Sequence, residues 1–318
     1  MIMKSIILLM IMSLSLSSSD NTSTSGFVFL KLPTGSSRIQ GLGGNGVSVM
    51  SGIDSMNINP AGVAFAQMRE VSFSVINWLE DYDGKYISYV EPHGTNVLGF
   101  DLAYYSADNF DVRDEQGVPI NAESVKFKNM FASLTFAKSF FMERFSLGLS
   151  AKYVREDRYL TKDDKFVFDW GSVLKLSRRL SLGFSEQNLS GDDKKVVQVM
   201  RYGLGLTLSS YLTVVVDNKK YTDSDSKTGV GFELTIPEEV LQYGRFVFRA
   251  GYCDYGNYGK NYDDSTLDKL GLSQTSGWSF GIGVYTAQSL GKAYSLEYSL
   301  TPYGELGKTT QITFKFQF

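Results

Sequence analysis

Histidine and cysteine are almost missing from this chain, with one of each, His93 and Cys253, among 318 residues. A single cysteine excludes a disulfide framework and any site built from several thiolates. A single histidine leaves little from which to assemble zinc or haem ligation, or the base of a Ser–His pair. No catalytic residue, metal or cofactor is therefore expected, and the chain does not read as an enzyme. Proline is scarce too, at six residues, and the charges nearly cancel to a net −3. Nucleic-acid binders normally carry a basic excess, so nucleic acid is not expected among the partners. Past the first twenty residues the sequence also lacks the uninterrupted apolar run of about 18 residues that a membrane-spanning helix needs. What it has in quantity is aromatics and glycine: 22 Phe, 19 Tyr, 3 Trp and 31 Gly.

The start reads MIMKSIILLMIMSLSLSSSDN, with Lys4 before an apolar stretch from Ile6 to about Leu16 and small residues at Ser15, Ser17 and Ser19. A charged start, a short apolar core and small residues describe a cleaved secretory signal peptide, expected over residues 1–19. The core is too short to cross a bilayer of about 30 Å as a helix. A buried N-terminal helix is the alternative.

From Arg69 onward, alternation of period two dominates. Phe145, Leu147, Leu149, Ala151 and Tyr153 interleave with Ser146, Gly148, Ser150 and Lys152, and Ile312, Phe314, Phe316 and Phe318 with Thr313, Lys315 and Gln317. Successive side chains of a strand face opposite ways, so each such segment has one apolar face and one polar or small face. Strands are expected at 69–79, 84–91, 96–106, 127–140, 143–156, 164–176, 179–188, 197–209, 211–220, 228–237, 244–254, 277–288, 292–302 and 308–318. The two longest connections, 107–126 and 255–276, fall in the same alternate class. Long loops at one end and tight turns at the other fit an outer-membrane barrel, with the turns and chain ends in the periplasm. The expected fold is all-β: a transmembrane antiparallel β-barrel of about 14 strands over residues 69–318, in the outer membrane of a diderm bacterium.

Chemistry decides the faces. Leu147, Trp170, Leu204, Phe248, Phe280 and Phe314 suit hydrocarbon, whereas Asp101, Lys152, Asp169, Lys175, Asp217, Glu233, Arg249, Glu297 and Lys315 require a wet or protein-filled lumen. The signs are mixed, so pairing across the lumen is expected and strong charge selectivity is not. Glycines on the lumen face (Gly148, Gly171, Gly183, Gly203, Gly205, Gly281, Gly283) leave room for backbone to approach the wall. The candidate is residues 20–68, which lack strand periodicity and are expected to fold into the lumen as a hatch or plug.

Within that stretch Arg38, Gly41, Gly43, Gly44, Asp54 and the run Asn59-Pro60-Ala61-Gly62 resemble the N-terminal signature of FadL-like outer-membrane proteins, most closely the PorV/PorQ group. Arg249-Ala250-Gly251-Tyr252, Phe280-Gly281-Ile282-Gly283 and Tyr303-Gly304-Glu305-Leu306-Gly307 extend the resemblance to the C-terminal strands. Ile58 stands where that group commonly has Trp, and Thr310 where it commonly has His. The resemblance implies a fourteen-stranded barrel with an N-terminal hatch, and a role in moving hydrophobic molecules or assisting protein secretion. Arg38, Gly41, Gly43, Gly44 and Asp54 then become plug-packing residues. Asn59, Pro60, Ala61 and Gly62 become the ligand-side hinge between plug and wall. Physically, Pro60 fixes its own φ, Asn59 can bond nearby backbone, and an ordinary turn into the first strand is the alternative.

Other features have plainer readings. Gly41-Leu42-Gly43-Gly44-Asn45-Gly46 lacks the βαβ context of a phosphate loop and reads as plug backbone. Asp223-Ser224-Asp225 and Asp263-Asp264 could attract calcium, but solvated surface charge is the better reading. His93 belongs to a turn, and Cys253 reads as a free thiol. Tyr255, Tyr258 and Tyr262 form either a binding lip or a mobile surface, and Phe318 is expected to act as the assembly signal read by the barrel-assembly machinery. The leading function is outer-membrane transport of hydrophobic small molecules of the long-chain fatty-acid type. A barrel assisting secretion or surface attachment, with a secretion-system partner, and a structural or adhesive barrel are the alternatives. Outer-membrane lipid is the surrounding partner in each case.

Overall fold

The computed structural model describes residues 26–33, 35–79, 82–110, 116, 125–158, 161–191, 196–241, 244–253, 277–288, 291–303 and 307–318. The expected signal peptide, the tyrosines at 255, 258 and 262, and the Asp263–Asp264 pair lie outside these residues.

Fourteen strands run in sequence order: β1 Glu70–Asn77, β2 Tyr82–His93, β3 Asn96–Phe110, β4 Val125–Phe140, β5 Phe145–Arg158, β6 Thr161–Lys175 and β7 Leu180–Leu189, then β8 Val199–Thr207, β9 Leu212–Tyr221, β10 Ser224–Ile236, β11 Arg245–Cys253, β12 Trp278–Gln288, β13 Lys292–Pro302 and β14 Lys308–Gln317. Each pairs antiparallel with its sequence neighbours, and β1 closes on β14 from Glu70↔Gln317 to Asn77↔Thr310. Closure leaves no unpaired edge, which is what a barrel needs if its rim is to pass through hydrocarbon.

The two faces separate as alternation requires. Outside, Leu134, Leu149, Phe166, Phe168 and Leu296 are more than half exposed. Inside, Asp101, Lys152, Asp169, Asp217, Arg249, Glu297 and Lys315 are buried. Every charge expected in the lumen lies on this inner side; Lys175, the most open of them, sits 3.4 Å above the Phe65 ring. An apolar exterior around a polar interior is the architecture of a membrane-spanning barrel.

The barrel is taller on one side than the alternation indicates. Strands β3 to β6 hold 15, 16, 14 and 15 residues, whereas β7, β8 and β9 hold 10, 9 and 10. A tilted strand crosses hydrocarbon with about 9–11 residues. The excess projects past the apolar belt, where nothing imposes an apolar outer face, and Thr161, Lys162, Asp163 and Asp164 are exposed there. Strand β10 likewise begins at Ser224, leaving only a short turn in place of the longer loop that the periodicity predicts. At the opposite, short-turn end, helix α2 (Glu238–Leu241) lies within the expected 238–243 turn. The β4–β5 turn there holds Phe141, Met142 and Glu143 at φ of 54°, 54° and 62°. Non-glycine residues in this left-handed region cost about 1–2 kcal/mol each, a strain that the hairpin must offset.

Residues 26–33 and 35–66 pack against the inner wall. They fold as short 3-10 turns at Val28–Lys31, Gly52–Ser55 and Pro60–Phe65 and one helical turn, α1, Ser37–Gly41. Their apolar side chains form the inner clusters: Phe27 and Phe29 with Tyr86, Tyr105 and Phe131, and Ile39, Leu42, Val47, Met50 and Ile58 with one another.

Candidate functional site

Three attachments position this inner segment. The first is the Asn59–Gly62 run, which sits against β3–β6 with all four residues buried. Proline opens the 3-10 turn, where its missing N–H is no loss. The Asn59 Oδ1 accepts from the Ala61 N–H at 3.1 Å, while its Nδ2 donates to the carbonyls of Val47 at 2.8 Å and Ser172 at 3.2 Å. One side chain thus ties the turn to the wall and to the preceding loop. Glycines make the approach possible: a Cβ on Gly148 would collide with the Pro60 carbonyl, and one on Gly183 with the Val47 carbonyl.

The second attachment is ionic and lies toward the short-turn end. Arg38 of α1 donates through Nε and Nη2 to both oxygens of Glu233, at 2.8 and 2.7 Å. Glu233 also accepts from Arg249 Nε at 2.7 Å, and Arg249 Nη1 donates to Glu297 at 3.2 Å. Asp54 accepts from Lys315 Nζ at 2.6 Å and from the Ser36 hydroxyl at 2.8 Å. Burial pushes the Asp54 carboxyl up, but Lys315 and Arg38 outweigh it and hold it below the usual carboxylate range. The segment therefore supplies one charge of each sign to a network whose remaining members belong to the wall. Removing a single member of such a buried network costs about 3–5 kcal/mol, because it strands the partner.

The third attachment lies toward the long-connection end. Asp217 Oδ2 accepts from the N–H groups of Gly46 at 2.6 Å and Val47 at 2.9 Å. Lys219 Nζ donates to the Gly43 carbonyl at 3.0 Å, and Arg201 Nη1 to the Gly44 carbonyl at 3.4 Å. Strand register puts Arg201 directly opposite Lys219, and Lys219 directly opposite Lys227. A row of three cations therefore crosses β8, β9 and β10 on the inner face. Like charges directly opposed across strands repel, and Asp217 and Asp223, on the same side of the barrel, offset part of that repulsion.

These cations open onto a cavity of about 230 Å³, walled on its apolar sides by Leu32, Pro33, Ile39, Trp78, Tyr221 and Tyr303. Lys31 joins the cationic side and pairs with Asp223 at 2.5 Å. Asp223 is buried in that pair rather than solvated as expected. Cys253 lines the same cavity, its Sγ 3.9 Å from Lys219 Nζ. A second cavity of about 270 Å³ lies on the other side of α1, lined by Arg38, Asp54, Glu233, Arg245, Tyr285 and Lys315. Arg38 faces this lower cavity, whereas Ile39, Gln40, Gly43 and Gly44 face the upper one. Residues 38–44 are the partition between them.

The structure brings Arg38 and Asp54 together through the lower network and places Gly41, Gly43 and Gly44 in the partition. A Cβ on Gly41 would come within 2.9 Å of the Gly281 Cα, and Gly43 and Gly44 adopt φ of +72° and +71°. Asn59, Pro60, Ala61 and Gly62 are held separately, against β3–β6. Phe318 exchanges backbone hydrogen bonds with Arg69 at 3.1 and 3.0 Å and stacks on Phe316. His93 ends β2, exposed, with its Nε2 3.9 Å from Glu91. Among the described residues, no group of three or more His, Cys, Asp or Glu side chains is placed to hold a metal. Sequence reasoning missed Arg201, Lys219 and Lys227, which share this end of the lumen with Asp217 and Asp223. The parity of Arg201 and Lys219 was a usable signal; their alignment across strands was not.

A closed antiparallel barrel of fourteen strands, apolar outside and enclosing a folded segment, belongs to the membrane β-barrels in architecture. No protein-family model and no curated protein matches the sequence. Among solved structures, the toluene transporter TodX of Pseudomonas putida is similar at a TM-score of 0.57 and 12% identity, over 94% of this chain and 98% of that one. The toluene transporter TbuX of Ralstonia pickettii gives 0.54 and 10%, over 87% and 96%. A Pseudomonas aeruginosa FadL homologue gives 0.50 and 11%, over 90% and 97%. At these identities the likeness concerns the fold.

Proposed function

We propose that this chain is an outer-membrane transport barrel for hydrophobic small molecules bearing an acidic head, of the long-chain fatty-acid type, with its N-terminal segment as the plug. The observation that carries this reading is the upper cavity, whose apolar walls and row of three cations suit an amphipathic anion. The toluene transporters among the solved neighbours support hydrophobic cargo of some kind. In this reading residues 1–19 are removed on export, 20–68 form the plug and 69–318 the wall. The long connections and upper cavity face outward from the cell, and the short turns and Phe318 face the periplasm. Asn59–Gly62 act as the hinge where the plug joins the wall, while Arg38, Gly41, Gly43, Gly44 and Asp54 hold it shut.

The PorV/PorQ-like motifs keep a role in protein secretion as the second reading, which would require a stable protein partner. An apolar-walled cavity of about 230 Å³ favours the small molecule. The test is planar-bilayer conductance of the intact protein against a variant lacking residues 27–56. The intact barrel should be nearly closed and the shortened one should conduct, once its heat-resistant gel mobility shows that the wall has assembled. An assembled deletion variant as closed as its parent would remove the plug from the mechanism.

A further inference from the structure

We propose that the outer face of strands β7–β10 holds one acyl chain of a phosphorylated glycolipid of the outer leaflet, with the carbonyl that links chain to sugar on the Thr228 hydroxyl. The proposal rests on the outward orientation proposed above and is independent of the cargo. A groove of about 530 Å³ runs along the lipid side of the wall there. That volume lies within the range of about 300–1,000 Å³ that small-molecule pockets occupy. Strand register lays the groove out in two rows. Leu182, Leu204 and Val216 are directly opposed in the lower row, and Phe184, Tyr202, Asn218 and Thr228 in the upper. Large residues on β7 and β8 give way to small ones on β9 and β10, which leaves the wall hollow between them. Hydrocarbon fills such a hollow, because atoms that line a void lose their dispersion contacts. The groove is no passage. Strands pair without a break beneath it, from Leu180↔Leu206 to Gln187↔Val199 and from Val199↔Tyr221 to Thr207↔Thr213. Behind them a Cβ on Gly183 or Gly203 would meet Val47 of the inner segment.

The upper row is polar in a wall that is otherwise apolar. Asn218 Nδ2 donates to Thr228 Oγ1 at 2.9 Å. Thr228 is exposed, and among the described residues its hydroxyl has no other partner, so its hydrogen is left to donate into the groove. Asn218 Oδ1 is buried with no donor among those residues. Polar groups that face lipid cost stability unless they are paired, so the hydroxyl calls for an acceptor. Its level decides which acceptor. One row below Thr228, Val230 is opposed to Tyr252, and Tyr252 to Trp278. Tyr and Trp on a lipid face mark the headgroup boundary. One row above Asn218, Lys220 stands on the same face, at the height of a phosphate. Acyl linkages lie between these levels. A chain seated on Leu182, Leu204 and Val216 therefore brings its linkage carbonyl to Thr228 and its phosphate toward Lys220. A second copy of this chain suits the groove less well, since a two-fold contact centred here sets hollow against hollow.

The experiment is native mass spectrometry of the full chain released from nanodiscs that contain lipid A and phosphatidylethanolamine in equal amounts. Each variant is first shown to keep the heat-resistant gel mobility of an assembled barrel. The parent should carry one lipid A. Thr228→Val should weaken its retention by about three- to tenfold, the strength of one hydrogen bond. Thr228→Ser should retain it, and Val216→Phe, which fills the groove, should weaken it by at least about tenfold. Leu296→Phe, an exposed lipid-facing position on β13, should change nothing. No bound lipid A, equal retention of both lipids, or retention indifferent to Thr228→Val and Val216→Phe overturns the proposal. So does a two-chain complex that Val216→Phe dissolves. Selective retention of phosphatidylethanolamine would place the groove in the inner leaflet and overturn the orientation with it.

Discussion

Gly148 and Gly171 set how near the inner segment comes to the wall, because any Cβ at these positions would occupy space held by Pro60 or Asn59. Replacing Gly148 by Val should leave the strands paired, since valine suits a strand, but should force the Asn59–Gly62 turn away from β5. Overpacking of this kind costs about 1–3 kcal/mol. The expected outcome is an assembled barrel whose residues 26–66 are cut faster by limited proteolysis than in the parent. Unchanged cleavage would mean that the turn does not depend on this contact. The lumen glycines were legible in the sequence, because small residues recurring on one strand face have few other uses. The Arg201–Lys219–Lys227 row was not, since a side chain's level on a strand depends on how far each neighbour is staggered.

Among the elements, β14 has the most to hold. It pairs with β13 on one side and closes the barrel against β1 on the other. Its outer aromatics run Phe314, Phe316, Phe318, with ring centroids of the last two 5.0 Å apart and Tyr294 stacked on Phe316 at 4.8 Å. Burying an aromatic of this size contributes about 1.5–3 kcal/mol. Phe318→Ala should therefore reduce the fraction of heat-resistant, membrane-inserted protein more than Phe280→Ala, a lipid-facing change of similar exposure in mid-strand. Equal losses would deny Phe318 a special role in assembly. Alternation located all fourteen strands, because a wall with lipid on one side and protein on the other cannot abandon period two. Strand ends were legible only within the apolar belt. The extra residues of β3–β6 stand beyond it, where the outer face is free to be polar.

For the whole molecule, orientation is the property most open to test. With Cys253 removed, cysteines placed at 114 and 261 should react with an impermeant thiol reagent on intact cells. One placed at Glu239, in α2 at the short-turn end, should react only after the outer membrane is permeabilised. Reaction at Glu239 alone would invert the assignment of the two cavities to the two sides of the membrane.

By itself the sequence determined the barrel: the strand count, the lipid-facing set, the lumen-facing set and the segment with no place in the wall. Those properties follow from local periodicity and from the cost of exposing charge to hydrocarbon, and both can be read along one strand at a time. Only the tertiary structure decided that Arg38 and Asp54 share one network with the wall, that residues 38–44 separate an upper cavity from a lower one, and that three cations stand in line above them. Each of these joins residues far apart in the chain or on separate strands. Their meeting depends on barrel closure, stagger and the path of the inner segment, which no single stretch of sequence encodes.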